Sequence, residues 1–551
     1  MEKSFIGLLE NSIKSYWDLP ALSDYKGITL QYKDLARKIE KVHILLAESG
    51  VRQGDKISIC GRNSAHWGVA FLAALTYGAV AVPILHEFKP ENIHHIVNHS
   101  DSKLLFVGDG VWEEIDEAQM PSLEGIVLLG DFTLLISRSE KLTYAREHLN
   151  ELFGKKYPNN FRKDHVTYRR DTPEELALIN YTSGTTSASK GVMLPYRSVW
   201  SNVTFAKEVI DLKPGDKVVS MLPLAHVYGM SFEFLYEICN GSHIHFLTRI
   251  PSPKIILQAF SEIKPKIVIA VPLIIEKIIK KNVLPKIDNL PMRILLKTPI
   301  INDKIKEKIK NQIAQVFGGE FYQVIVGGAA FNHEVEKFLK DVEFPYTVGY
   351  GMTECGPIIA YEDWKRFKEG SCGKAAPRME IRIDSADPLH IVGEILTRGD
   401  NVMLGYYKNP EATAEVLKDG WLRTGDLGTL DEEGNLTIKG RSKNMLLGPS
   451  GQNIYPEEIE EKINNLPYVN ESVVIQLKDY KLAALIHPDY DAANVDHLST
   501  EDLQRIMEEN RVLANSELPA YSAISKVKIY EQEFEKTPKK SIKRFLYQDT
   551  L

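Results

Sequence analysis

Two periodicities alternate along this chain. Ile305, Ile309, Ile313 and Val316 recur at helical spacing behind Asn302 or Asp303, either of which can cap the helix, and Gly318-Gly319 close it. A β-branched run follows, Tyr322-Gln323-Val324-Ile325-Val326, and then the glycine loop Gly327-Gly328-Ala329-Ala330. Lys266-Ile267-Val268-Ile269-Ala270-Val271 reads as another strand. Short strands interleaved with helices predict largely parallel sheets covered on both faces. Residues 68–85 form an uncharged run of 18, barely long enough to span a bilayer. Gly78 and Pro83 divide it, and Ala79-Val80-Ala81-Val82 reads as a buried strand, so a helix-turn-strand is predicted.

The pattern changes near residue 440. Helices are predicted over 456–463 and 501–515, and strands over 472–477, 482–487 and 525–530. About a hundred residues of this kind make a self-contained α+β unit. The expected architecture is α/β: a large N-terminal domain, 1–440, of stacked, mostly parallel sheets with helices, and a small α+β domain, 441–551. Gly440-Arg441-Ser442-Lys443-Asn444 is the expected hinge.

With 551 residues, 44% hydrophobic and 26% charged, the composition is that of an ordinary globular protein. The net charge of −7 argues against a nucleic-acid partner. Cys60, Cys239, Cys355 and Cys372 show no metal-ligand spacing and read as reduced thiols of a cytosolic protein. The N-terminal residues lead into an amphipathic segment without a signal-peptide core.

Chemistry concentrates in Tyr181-Thr182-Ser183-Gly184-Thr185-Thr186-Ser187-Ala188-Ser189-Lys190-Gly191. Hydroxyls and glycine amides can wrap an oligophosphate, and a lysine supplies a compact positive charge. Apolar residues 176–179 and 192–194 place this loop between two strands. It is not a Walker A loop, because Ser189 stands where the second glycine belongs and Gly191 follows the lysine. Gly328 and Ala329 offer close backbone approach to a flat ligand, or a tight strand-helix turn. Tyr350-Gly351-Met352-Thr353-Glu354 sets an aromatic face, a hydroxyl and a carboxylate within five residues. These suit adenine, a phosphate oxygen and Mg²⁺, and equally a buried tyrosine beside a paired glutamate. Asp426, in Trp421-Leu422-Arg423-Thr424-Gly425-Asp426, can accept from both ribose hydroxyls, and Arg441 can clamp ribose or phosphate.

In this order and spacing the motifs resemble the adenylate-forming enzymes: acyl-CoA synthetases, peptide-synthetase adenylation domains and luciferases. The likeness runs from Ile28-Thr29 to Arg544. Ser450-Gly451-Gln452-Asn453-Ile454-Tyr455-Pro456-Glu457-Glu458-Ile459-Glu460, with Val271-Pro272 and Glu276-Lys277-Ile278, is similar to the long-chain fatty acid CoA ligase branch.

That resemblance implies a two-step reaction with ATP, Mg²⁺ and coenzyme A. A carboxylate attacks the α-phosphate, giving acyl-adenylate and pyrophosphate; the thiol of coenzyme A then displaces AMP. It assigns Thr182, Ser183, Gly184, Thr185, Thr186 and Lys190 to the phosphates and Tyr350, with Gly328 and Ala329, to adenine. Thr353 falls to the α-phosphate, Glu354 to Mg²⁺, Asp426 and Arg441 to the ribose, Lys443 to a hinge about which the small domain rotates, and His226 to the carboxylate beside an acyl tunnel. Gly327, Gly328, Gly349 and Gly351 could leave room for that tunnel, and Phe232 or Phe234 could limit it. Cys355 is read as packing, since the reaction needs no enzyme nucleophile.

The sequence departs from the family at the C-terminal loop Thr537-Pro538-Lys539-Lys540-Ser541-Ile542-Lys543-Arg544, where Ser541 occupies the position of a catalytic lysine. Lys540, one residue away, is the expected substitute. Two other readings stay open: a ligase that loads a carrier protein, and an adenylate binder that has lost catalysis. The expected setting is cytoplasmic. Contact with the inner face of a membrane stays open because long-chain substrates partition into lipid, and so does the choice of monomer or homodimer.

Overall fold

A computed structural model describes residues 3–182, 189–248, 252–283, 299–448, 452–536, 542–548 and 550. At its centre is an eight-stranded sheet. Its order is Gly405–Tyr406, Lys190–Pro195, Leu176–Thr182, Val80–Ile84, Lys56–Cys60, Ser102–Val107, Gly125–Leu128 and Leu134–Ser137. The inner neighbours are parallel, and both ends of the sheet are antiparallel. Val80–Ile84 is buried at every position, which is why it reads as a continuous apolar run. The uncharged run 68–85 folds as predicted. Ser64 caps the helix Ala65–Tyr77 by accepting from the Trp67 amide, Gly78 ends it at φ +93°, and the strand follows. Among the described residues no helix is long and apolar enough to cross a membrane.

Two further sheets complete the mostly parallel part. One joins Lys217–Ser220, His243–Phe246, Pro20–Asp24 and Thr29–Gln31; the other joins Ile267–Ala270, Gln323–Val326 and Tyr346–Val348. The helix expected from Asn302 or Asp303 begins earlier, at Pro299, and runs to Val316. Proline suits the first helical position because the amide it lacks would have no intrahelical partner there, so neither Asn302 nor Asp303 is the cap. Gly318 and Gly319, at φ +93° and +77°, terminate it as expected. Residues 379–441 add a five-stranded sheet that is antiparallel throughout. Its connections 385–392, 419–420 and 431–435 are too short for the crossovers that parallel strands require.

The last strand of that sheet, Leu436–Arg441, carries Arg441, and the hinge turn follows, with the Asn444 and Met445 amides donating to the Arg441 carbonyl. Lys443 is exposed on this turn. Beyond it, Val469–Gln476, Leu482–Pro488 and Ile524–Ile529 form a three-stranded sheet. Strand alternation sorts its side chains. Leu482, Ala484 and Ile486 meet the helices Pro456–Asn464 and Thr500–Glu517, while Ala483 and Leu485 meet Phe534 and Tyr547. The two domains touch through Glu461, which accepts from the His333 amide at 2.7 Å, and Asn465, which accepts from Lys280 at 3.2 Å and Asn332 at 2.5 Å.

Candidate active site

Tyr350 lies in a two-residue strand and Asp426 in Trp421–Leu430, 76 positions later. The Tyr350 hydroxyl donates to Asp426 Oδ2 at 2.6 Å, and Arg441 Nε forms an ion pair with Oδ1 at 2.8 Å. Register explains the second contact, because Asp426 and Arg441 are directly paired across antiparallel strands. Burial pushes the Asp426 carboxyl above the ordinary range, against the pull of Arg441 and Tyr350. Asp426 in turn holds the Arg441 guanidinium above its usual value. Burial, reinforced by Asp426, keeps the Tyr350 phenol well above its ordinary value, so it acts as donor. A carboxylate has about four acceptor sites, so Asp426 keeps capacity for a further donor such as a ribose hydroxyl.

Thr353 and Glu354 share a 3₁₀ turn, Thr353–Cys355, in which Thr353 is buried and Glu354 half-buried. Asn202 pins this turn by donating to the Cys355 carbonyl at 3.1 Å and accepting from the Ile358 amide at 3.0 Å. Glu354 Oε1 accepts from the Tyr406 hydroxyl at 2.9 Å. Its charge bears on both Asp426 and Arg441, which places all three in one electrostatic neighbourhood. Lys190 opens the strand Lys190–Pro195, and its ammonium lies 4.9 Å from the centre of the Tyr406 ring. Thr182 closes the preceding strand, so the loop between them springs from a hairpin as expected. Ser183, Gly184, Thr185 and Thr186 lie outside the described residues, as do Lys540 and Ser541. Burial pushes the Cys355 thiol well above its ordinary value, in keeping with a packing role.

Mg²⁺ fits this arrangement through Glu354, one of whose carboxylate oxygens is taken by Tyr406. Mg²⁺ is commonly bound by one or two carboxylates plus substrate phosphates.

His226 is half-buried and caps the turn Val227–Met230, its Nδ1 accepting from the Tyr228 amide at 3.3 Å. In the neutral ring this leaves the proton on Nε2. Gly328 and Ala329 are exposed after Gln323–Val326, and Gly328 sits at φ +93°. Gly327 is packed under Tyr228, where a Cβ would come within 3.1 Å of the ring. The two phenylalanines proposed to limit an acyl tunnel part company within the π-helical turn Ser231–Leu235. Phe232 packs near Tyr228 and Phe205. Phe234 is instead fully buried against Trp67, Phe71 and Phe246.

Comparison with known proteins decides the family. The sequence model described as AMP-binding enzyme matches residues 9–407, and that of the AMP-binding enzyme C-terminal domain matches 444–549. The chain belongs to the AMP-binding enzyme family. A long-chain-fatty-acid–CoA ligase of Escherichia coli O157:H7 is 26% identical to this AMP-binding enzyme over 502 residues, covering 86% of this chain and 83% of that one. The Drosophila melanogaster long-chain-fatty-acid–CoA ligase heimdall is 27% identical over 515 residues, covering 85% and 73%. Among solved structures, an anthranilate CoA ligase with bound anthranoyl-AMP superposes with a TM-score of 0.80 at 20% identity, covering 99% and 97%. ATP-bound MatB from Rhodopseudomonas palustris gives 0.77 at 21% identity, covering 100% and 99%. These structures establish the shared adenylate-forming fold.

The fold thus links Tyr350 with Asp426 and Arg441, and Glu354 with Tyr406 and Lys190, while Thr353 shares a turn with Glu354. Two further residues of this AMP-binding enzyme were missed in the sequence. Tyr406 touches both Glu354 and Lys190, and the signal available was the aromatic pair Tyr406-Tyr407 before the Asn409-Pro410 helix start. Glu457 accepts from Asn444 at 2.6 Å, and its Oε2 lies 2.9 Å from where a Cβ on Gly440 would stand. It therefore ties the turn after Arg441 to the helix Pro456–Asn464.

Proposed function

We propose that this AMP-binding enzyme is an AMP-forming acyl-CoA ligase acting on a fatty acid, with a long chain as its preferred substrate. The observation that carries this is the single cluster of Tyr350, Glu354, Asp426, Arg441 and Lys190 in a chain whose family binds AMP. The long-chain assignment draws its support from relatives that bear long-chain-fatty-acid–CoA ligase names along most of the chain.

In this reading Lys190 and Thr182, with the loop 183–186, hold the triphosphate, and Thr353 bonds the α-phosphate. Tyr350 flanks the adenine beside Gly328 and Ala329. Asp426 and Arg441 hold the ribose. Glu354 and the phosphates hold Mg²⁺, which supplies charge neutralisation on the oxygens where negative charge builds. His226 orients the carboxylate that attacks the α-phosphorus as pyrophosphate leaves. The small domain then turns about Lys443, and the thiol of coenzyme A attacks the acyl carbon with AMP as leaving group. Lys540 takes the part of the lysine absent at Ser541. Such a ligase works in the cytoplasm, where contact with the inner face of a membrane would give it access to a substrate that partitions into lipid.

The test is pyrophosphate release from MgATP with palmitate, octanoate or benzoate, each with and without coenzyme A. Turnover with palmitate that depends on coenzyme A is expected. Faster turnover with benzoate would overturn the fatty-acid assignment. Pyrophosphate release that coenzyme A does not accelerate would point to a carrier-protein acceptor. ATP binding without release from any acid would leave an adenylate binder.

A further inference from the structure

One side chain stands between the two groups assigned opposite duties toward the nucleotide. Tyr406 lies in the edge strand Gly405–Tyr406, which pairs antiparallel with Lys190–Pro195 through Gly405 opposite Met193 and Tyr406 opposite Val192. The backbone there is tied on both sides. The Leu404 amide donates to the Met193 carbonyl at 2.9 Å, the Tyr406 amide to Thr413 Oγ1 at 2.9 Å, and the Tyr407 amide to the Gly191 carbonyl at 2.7 Å. The Met403 amide donates to the carbonyl of Glu354 itself at 2.8 Å. Gly405 permits this crowding, since a Cβ there would meet Thr413 at 2.7 Å, and its φ of +140° disfavours any other residue.

From this frame the side chains of Tyr406 and Tyr407 point to opposite faces, as strand geometry requires. Tyr407 leaves the site: its hydroxyl donates to Asp101 at 3.0 Å, and its ring meets His99, whose Nδ1 contacts the Tyr181 hydroxyl at 2.7 Å. Tyr406 enters the site and is 7% exposed. Its hydroxyl takes Glu354 at 2.9 Å and its ring face takes the Lys190 ammonium at 4.9 Å from the centroid. The ring thus lies against Lys190 and the hydroxyl against Glu354, and among the described residues no ion pair joins the two. An ion pair between this lysine and this carboxylate would remove one charge from the phosphates and one from the cation.

We propose that Tyr406 is a positioning residue that holds Lys190 and Glu354 apart and aims both at MgATP. The inference rests on the nucleotide reading of the site given above. A hydroxyl that orients a metal-binding carboxylate is worth about 10–100-fold in metal affinity when removed. A cation–π contact at a partly buried site is worth roughly three- to tenfold.

The two halves of the side chain separate by substitution. Tyr406→Phe keeps the ring and deletes the hydroxyl; Tyr406→Leu deletes both. ATP binding to the full chain is titrated by calorimetry in EDTA and in saturating Mg²⁺, with thermal melting to confirm that each variant is folded. Tyr406→Phe is expected to bind ATP in EDTA like the wild type and to lose about tenfold of the affinity gained on adding Mg²⁺. Tyr406→Leu is expected to lose affinity under both conditions. Wild-type affinities for both variants would overturn the inference. So would equal losses for both variants regardless of Mg²⁺, which is what a merely structural role would give. A wild-type chain that binds no ATP at all would instead sink the nucleotide reading beneath it.

Discussion

Removing the Tyr350 hydroxyl tests the ribose side of the site most directly. Asp426 is 5% exposed and has two charge-assisted partners, Tyr350 at 2.6 Å and Arg441 at 2.8 Å. Tyr350→Phe keeps the ring and leaves one oxygen of a buried carboxylate without its donor. A hydrogen bond to a charged group is worth about 1.5–3 kcal/mol net. Arg441 cannot take over in full, because its side chain is 59% exposed and its pairing with Asp426 is screened by solvent. If the aim of Asp426 depends on Tyr350, the KM for ATP should rise about 10–100-fold, at roughly 1.4 kcal/mol per factor of ten, with the KM for the acid little changed. The assay is isotope exchange between pyrophosphate and ATP at saturating fatty acid, with ATP varied, for wild type, Tyr350→Phe, Asp426→Asn and the double variant. Residues acting through one contact should be non-additive, with a coupling of about 1 kcal/mol or more. A KM for ATP within twofold of wild type in Tyr350→Phe would refute the reasoning. Additivity of the two substitutions within about 0.5 kcal/mol would do the same.

Three further outcomes are expected. Glu237 is fully buried, and burial pushes its pKa from the ordinary 4.5 to about 8, against the pull of the Ser242 hydroxyl. Between those two values the folded state holds a proton that the unfolded chain has released, so stability falls as pH rises through that window and levels off above it. Glu237→Gln should therefore be more stable than wild type at pH 8, by about 3–5 kcal/mol as an upper bound, with the gain fading toward the ordinary carboxylate pKa; urea melts with the same pH slope for both proteins would contradict this. Lys540→Ala should cut pyrophosphate formation about 10²–10³-fold if Lys540 serves for the missing lysine, and wild-type rates would show that it does not. Finally, Glu461→Ala combined with Asn465→Ala removes side chains that hold the small domain against Asn332, His333 and Lys280. Trypsin should then cut faster at Lys443 in the exposed hinge turn, and an unchanged cleavage rate would mean that these contacts do not hold the domains together.

What the sequence settled by itself was whatever a local pattern encodes. Fully apolar runs such as Val80–Ile84 mark strands buried on both faces, and Gly78 and Gly318 mark helix ends because they adopt positive φ. The hairpin that carries Thr182 and Lys190, and the turn bearing Lys443, were legible for the same reason, as polar and glycine-rich breaks between apolar strands. Spacing could also propose that Tyr350, Glu354, Asp426 and Arg441 share a ligand, but not how they meet. That Asp426 lies opposite Arg441 follows from antiparallel register, and that Tyr350 reaches Asp426 across 76 positions follows from how two sheets are packed. Tyr406 shows the limit most clearly. Nothing near it in sequence calls for a partner, yet its place on a two-residue edge strand brings Glu354, 52 positions away, to its hydroxyl and Lys190 to its ring. Phe232 and Phe234 make the converse case: two similar residues two apart are sent by one π-helical turn to Tyr228 and to the core. Local propensity is a property of neighbours along the chain, whereas the partners of a side chain depend on strand order and helix facing, which are set only when the whole core closes.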